Sequence, residues 1–132
     1  MSLTRLLPAW LHAIADYAVG ALLIIVAIAS GVGGAAEATG IVVGATVLLV
    51  SVLTRYPLGI VKVLPFKVHS AGDYLAAALL IVAPYATGFS DTNSGLAAFY
   101  VAMGVAVLAV SLITNYQYSE KRDWNKAVPA AA

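Results

Sequence analysis

The chain contains the same apolar segment twice. Residues 5–17 recur 57 positions later as residues 62–74. Both copies follow the pattern basic residue-x-Leu-Pro-x-x-x-His-x-x-x-Asp-Tyr, where x is any residue. Of the 28 positions in residues 5–32, 11 are identical in the second copy. Because internal repeats set the architecture of a chain, this duplication predicts two copies of one structural unit.

The second half of the unit is also repeated. Residues 44–56 align with residues 104–116, now with an offset of 60, so the second copy gained three residues between its halves. An insertion of this kind is tolerated best at a loop tip. We therefore divide one membrane domain, residues 1–132, into repeat 1 at about 5–56, repeat 2 at about 62–116, and a tail over 117–132.

The composition is typical of a membrane protein. Hydrophobic residues make up 62% of the chain and charged residues 10%, against about 25% charged residues in soluble domains. A spanning helix needs about 20 mainly apolar residues, and a soluble bundle would need polar helix faces that are almost absent here. Four apolar segments are predicted to span the bilayer: 13–32, 39–54, 74–89 and 96–114. The middle two are short and must include flanking residues to reach across.

The basic residues predict the orientation in the membrane. All seven Lys and Arg residues lie before the first segment, between the second and third, or after the fourth. Positive charges favour the cytoplasmic side, so we expect both termini and the central connection to be cytoplasmic in a bacterial inner membrane. Five aromatic residues are expected at that interface: Trp10, Tyr56, Tyr116, Tyr118 and Trp124.

The predicted fold class is therefore an all-α membrane protein with four transmembrane helices. Its two hairpins enter from the same side and are related by a pseudo-twofold axis along the membrane normal, unlike the inverted repeats of many transporters. The pair Gly40 and Gly44 matches a small-residue packing motif. We interpret it as packing within the chain, with dimerisation as the alternative.

Two pairs of ionisable residues lie at the start of the first and third predicted membrane segments, at the cytoplasmic edge of the hydrocarbon region. His12 and Asp16 are four residues apart, as are His69 and Asp73, so each pair lies on one helix face. Ionisable residues at this depth are costly and usually face the protein interior with a partner. Besides the histidines, three side chains are candidate partners for the aspartates: Arg55, Tyr56 and Tyr116.

These pairs allow two interpretations, a polar clamp that fixes the hairpins or a relay for protons or cations. The clamp is favoured, since residues 19–30 and 75–86 carry no charge that would continue a path across the membrane. The spacings His-x-x-x-His and His-x-x-Glu, which bind metals on one helix, are absent. We expect no metal, no cofactor and no catalytic residue, with heme between His12 and His69 as a weaker alternative.

The chain resembles the SPW-repeat family of small bacterial membrane proteins. The resemblance rests on the hairpin, its Asp-Tyr opening and residues 79–89, in which Ala83-Pro84-Tyr85 stands at the Ser-Pro-Trp motif. The first copy has Val26-Ala27-Ile28 at that place. The resemblance implies a membrane location and one or two helical hairpins, and it implies no biochemical activity.

The sequence thus predicts a non-enzymatic, structural or accessory subunit that packs in the bilayer against a larger membrane complex or against itself. The alternative is a small oligomeric carrier of protons or cations that uses His12, Asp16, His69 and Asp73. The net charge of +1 argues against a nucleic-acid partner, which requires a basic face.

Overall fold

The computed structural model describes residues 5–116. They form four long helices and one short one: α1 (Ala9–Ser30), α2 (Gly34–Leu53), α3 (Phe66–Ala86), α4 (Phe89–Thr92) and α5 (Ser94–Ile113). The predicted tail over 117–132, with Tyr118 and Trp124, lies outside the described residues. So do the basic residues that follow the fourth segment.

The long helices pair as two hairpins. Helix α1 packs on α2, and α3 packs on α5, while the hairpins touch through α2 with α3 and α1 with α5. Equivalent helices of the two repeats thus occupy equivalent places around a pseudo-twofold axis. The predicted fold class is confirmed.

All four long helices are long and apolar enough to cross a membrane, with lengths of 22, 20, 21 and 20 residues in chain order. Large apolar side chains cover the outer surface of the bundle, among them Ile25, Val42 and Leu75, each 62% exposed. Such a surface suits lipid rather than water, because a soluble protein rarely exposes an apolar patch of this extent. The chain is a multi-pass membrane protein.

Helices α1 and α3 begin earlier than the predicted segments. Each starts directly after a proline, Pro8 or Pro65, whose backbone is extended. A proline suits a helix start because its missing N–H has no helical partner there. The early starts place the His and Asp pairs in the first turns of the helices, and they supply the flanking residues that the third segment needed.

Within each hairpin the two helices cross at a glycine. A methyl group added to Gly44 would lie 2.7 Å from the Gly20 carbonyl oxygen, and one added to Gly104 would lie 2.9 Å from the Ala77 carbonyl oxygen. The absence of a side chain lets the backbones approach closely. Gly40 likewise faces α1 at Leu23 and Ala27 of the same chain, so the motif serves packing within the chain.

Short backbone pairs join the start of each repeat to the end of the other. The amide of Leu7 donates to Ile113 and its carbonyl accepts from Asn115, at 2.8 and 2.9 Å. In the equivalent place Leu64 donates to Leu53 and accepts from Arg55, at 2.7 and 2.8 Å. Helix α2 ends at Leu53, where these bonds begin.

The far end of the bundle breaks the symmetry. Tyr100 of α5 is the repeat counterpart of Gly40 of α2, and its fully buried hydroxyl donates to the Ala36 carbonyl at 2.6 Å and accepts from the Gly40 amide at 3.1 Å. The tyrosine fills the space that the glycine leaves open. This end of the hairpin interface is therefore closed by a polar contact within an apolar core.

Candidate functional site

The two ionisable pairs meet in one cluster on the pseudo-twofold axis. His12 and Asp16 of α1 face His69 and Asp73 of α3, and one ligand atom from each lies within 4.8 Å of all the others. The histidines are 1% exposed and the aspartates 8% and 7%. We call these four side chains the His2Asp2 centre. At 1.5 Å per residue, Asp16 lies about 10 Å along α1.

Each histidine contacts both carboxylates. Nε2 of His12 lies 3.3 Å from Oδ1 of Asp16 and 3.1 Å from Oδ2 of Asp73. Nε2 of His69 lies 2.9 Å from Oδ1 of Asp73 and 3.1 Å from Oδ2 of Asp16. The four groups alternate in a closed ring, so two of its four contacts join one repeat to the other.

Threonines fix the imidazole rings. Nδ1 of His12 lies 2.6 Å from Oγ1 of Thr114, and Nδ1 of His69 lies 2.7 Å from Oγ1 of Thr54. Each threonine hydroxyl already donates to the carbonyl four residues earlier, at 2.6 Å. The hydroxyl oxygen must therefore accept from the ring, which places a proton on Nδ1 of both histidines.

Tyrosines hold the carboxylates. The hydroxyl of Tyr56 donates to Oδ2 of Asp16 at 3.0 Å, and that of Tyr116 donates to Oδ2 of Asp73 at 2.8 Å. Burial, and then the negative charge of the neighbouring aspartate, raise the pKa of both phenols. The phenols therefore remain protonated donors to Oδ2, while the other carboxylate oxygen, Oδ1, faces the histidine of its own helix.

An aromatic residue covers the centre at the helix starts. Phe66 is 3% exposed, and its ring centroid lies 5.3 and 5.6 Å from the centroids of His12 and His69. It also packs on Tyr56 and Tyr116, at 5.3 and 4.7 Å. Its counterpart in repeat 1 is Ala9, so a single phenylalanine occupies the position on the axis.

Two grooves reach the centre from the sides of the bundle. A groove of about 130 Å³ between α2 and α3 ends at His69 and Asp73. Its counterpart between α1 and α5, about 40 Å³, ends at His12 and Asp16. The walls are otherwise mainly apolar. Both aspartates thus line a groove between the hairpins.

Beyond the centre the core is apolar. The next buried residues of α1 are Gly20 and Leu23, and those of α3 are Ala77 and Leu80. Within residues 5–116 the centre therefore has no charged continuation through the middle of these two helices. Among the described residues of these two helices, no further charged side chain lies beyond the centre to receive a proton or ion from it.

Four of the five predicted site residues meet, and Arg55 does not join them. Its guanidinium Nε donates to the Lys62 carbonyl at 3.0 Å, on the exposed connection between α2 and α3. Both tyrosines proposed as aspartate partners do reach the aspartates. Thr54 and Thr114 were not predicted as histidine partners, although their equivalent positions in the two repeats were a signal.

Heme does not fit between the histidines. Their ring centroids are 5.5 Å apart, and the carboxylates of Asp16 and Asp73 contact both Nε2 atoms. A porphyrin placed between the rings would have to displace both carboxylates.

The chain matches no family model, no curated protein and no solved structure. The similarity to the SPW-repeat family stays a prediction.

Proposed function

We propose that the protein is a non-enzymatic accessory subunit of the bacterial inner membrane, with both termini cytoplasmic. The His2Asp2 centre acts as a clamp that fixes the two hairpins against each other. The observation that carries this proposal is the arrangement of partners: threonines from the opposite repeat hold the histidines, and tyrosines from the same repeat hold the aspartates.

A clamp of this kind explains why costly groups lie within the bundle. A buried ionic group loses hydration, and only good geometry and further hydrogen bonds offset that loss. Polar groups are also well suited to fixing register, since an apolar core would allow Leu- and Ala-rich helices to slide. The rigid bundle then offers its apolar outer faces to lipid and to a membrane partner.

Native extraction tests the accessory role. The protein would be extracted in a mild detergent from the cells that make it, and the mass and composition of the particle measured. We expect either fixed-stoichiometry association with other membrane subunits or a defined oligomer of this chain. A particle with a single copy and no partner would contradict the proposal.

The second candidate is a small carrier of protons or cations. It is favoured by the two lateral grooves, which Asp16 and Asp73 line. In liposomes containing the purified protein, this role predicts a flux that Asp16→Asn and Asp73→Asn abolish without loss of helix content. Absence of flux in the wild-type protein would leave only the accessory role.

A further inference from the structure

We propose that the His2Asp2 centre binds a divalent transition-metal ion of the Zn²⁺ class. The ligands are Nε2 of His12 and His69 and one carboxylate oxygen, Oδ1, of Asp16 and Asp73. This goes beyond the accessory role and does not depend on it, because the clamp and the metal site can each be tested alone. The inference rests on the directions of the ligand atoms, their spacing, their supports and their charge.

The Nε2 atoms of both histidines point into the centre. Both are fully buried, and among residues 5–116 neither has a hydrogen-bond partner, although carboxylate oxygens lie 2.9 to 3.3 Å away. Since the threonines place the proton on Nδ1, neutral rings would direct two lone pairs at carboxylate oxygens. A cation between them removes that repulsion, because all four atoms can then donate to it.

The spacing fits four ligands around one ion. Zn²⁺ binds His nitrogen and carboxylate oxygen at about 2.0–2.2 Å, so neighbouring ligands of a tetrahedron lie about 3.3 Å apart. In the centre the distance from Nε2 to Oδ1 is 3.3 Å for the pair in α1 and 2.9 Å for the pair in α3. One ligand atom from each of the four residues lies within 4.8 Å of the others, so a small inward movement of the side chains would complete the tetrahedron.

Every ligand is held by a second group. Threonine oxygens accept from both Nδ1 atoms, and phenols donate to both Oδ2 atoms, which leaves the Oδ1 atoms for the ion. Metal-binding histidines almost always have such a partner at the other ring nitrogen. Two repeats supply two ligands each, so this site does not need the single-helix spacing that the sequence lacks.

The charges also balance. Two ionised carboxylates and two neutral imidazoles carry two negative charges, which a divalent ion neutralises inside the bundle. Histidine nitrogen and carboxylate oxygen together suit Zn²⁺ and its first-row neighbours. Mg²⁺ and Ca²⁺ prefer oxygen ligands, so they are poor occupants of a site in which half of the ligands are nitrogen.

The test is metal binding by the full chain. The protein would be purified in mild detergent with a tag that contains no histidine, stripped with a chelator and titrated with Co²⁺, whose visible spectrum distinguishes tetrahedral from octahedral coordination. We expect one Co²⁺ per chain, an intense tetrahedral spectrum, and displacement by Zn²⁺. A folded wild-type protein that binds neither ion would overturn the proposal.

Variants assign the site. Asp16→Asn and Asp73→Asn should abolish the tetrahedral spectrum, whereas Glu37→Gln, which changes a carboxylate at the far end of the bundle, should leave it unchanged. Circular dichroism checks the helix content. Tyr56→Phe keeps all four ligands, and should weaken Co²⁺ binding by about 10-fold. Binding that survives unchanged in Tyr56→Phe and in every folded aspartate variant would place the ion elsewhere and contradict the proposal.

Discussion

The Nδ1 atom of His12 donates to Oγ1 of Thr114 over 2.6 Å, and this bond ties the first helix of one repeat to the end of the other. The equivalent bond from His69 to Thr54 runs in the opposite sense, from repeat 2 to repeat 1. Each histidine thus depends on the other repeat for its orientation. The duplicated sequence produces one centre rather than two.

Loss of a threonine hydroxyl should destabilise the bundle. In Thr54→Val or Thr114→Val the buried Nδ1–H loses its acceptor, and an unsatisfied buried donor costs about 1–3 kcal/mol. Unfolding in detergent with increasing denaturant measures the change. Thr→Ser at the same positions is the matched control, because it keeps the hydroxyl. If the serine variants lost as much unfolding free energy as the valine variants, the hydroxyls would not be the stabilising acceptors.

High pH should destabilise the protein through Tyr56 and Tyr116. Their pKa values are raised by burial and by the adjacent aspartates, so the folded state keeps these protons above pH of about 10, where an unfolded chain releases them. The stability they contribute is present below that pH and is lost as the pH rises further.

A comparison of variants assigns this alkaline effect. Tyr56→Phe with Tyr116→Phe should flatten the fall in unfolding free energy above the ordinary tyrosine pKa. Tyr85→Phe, which removes a phenol that is 67% exposed, should leave the fall unchanged. Identical pH profiles for the wild type and the double variant would show that other groups cause the effect.

Methyl groups where the two helices of each hairpin cross should push those helices apart. Gly44→Ala and Gly104→Ala place a Cβ within 3 Å of a facing backbone oxygen, and overpacking of this kind costs about 1–3 kcal/mol. Gly72→Ala is the control, since nothing lies within 4 Å of its added Cβ. Thermal unfolding in detergent should show a lower midpoint for the first two variants only.

The orientation can be tested on a chain that contains no natural cysteine. Ile60→Cys lies on the connection between α2 and α3, where Ile60 is 74% exposed, and Asp91→Cys lies in α4 at the opposite end. A membrane-impermeant thiol reagent added to intact cells should label Asp91→Cys alone. Labelling of Ile60→Cys instead would invert the predicted topology.

The repeat made most of the fold predictable. The matching positions of Gly44 and Gly104, and the apolar stretches before them, determine two hairpins of similar length. Hydropathy alone places the helix starts too late, because the helices begin directly after Pro8 and Pro65, at residues that hydropathy assigns to the interface. The short helix α4 depends on the three-residue insertion, which has no counterpart in repeat 1.

The candidate site could be predicted only in part. The four-residue spacing within each pair showed that His12 and Asp16 share a face, but no local pattern states that the faces of α1 and α3 meet. The threonine contacts arise from the cross-repeat backbone pairs at Leu7 and Leu64, which are long-range. The surroundings of the two Nε2 atoms depend on ring orientation, which the sequence does not reveal.

The most direct test of the central claim, that one centre joins both repeats, is a double-mutant cycle on His12 and Asp73. The unfolding free energies of His12→Gln, Asp73→Asn and the double variant would be compared with that of the wild type. We expect a coupling of about 0.5–3 kcal/mol, as for residues in direct contact. Additive effects, within about 0.3–0.5 kcal/mol, would show that the two repeats do not meet at these side chains.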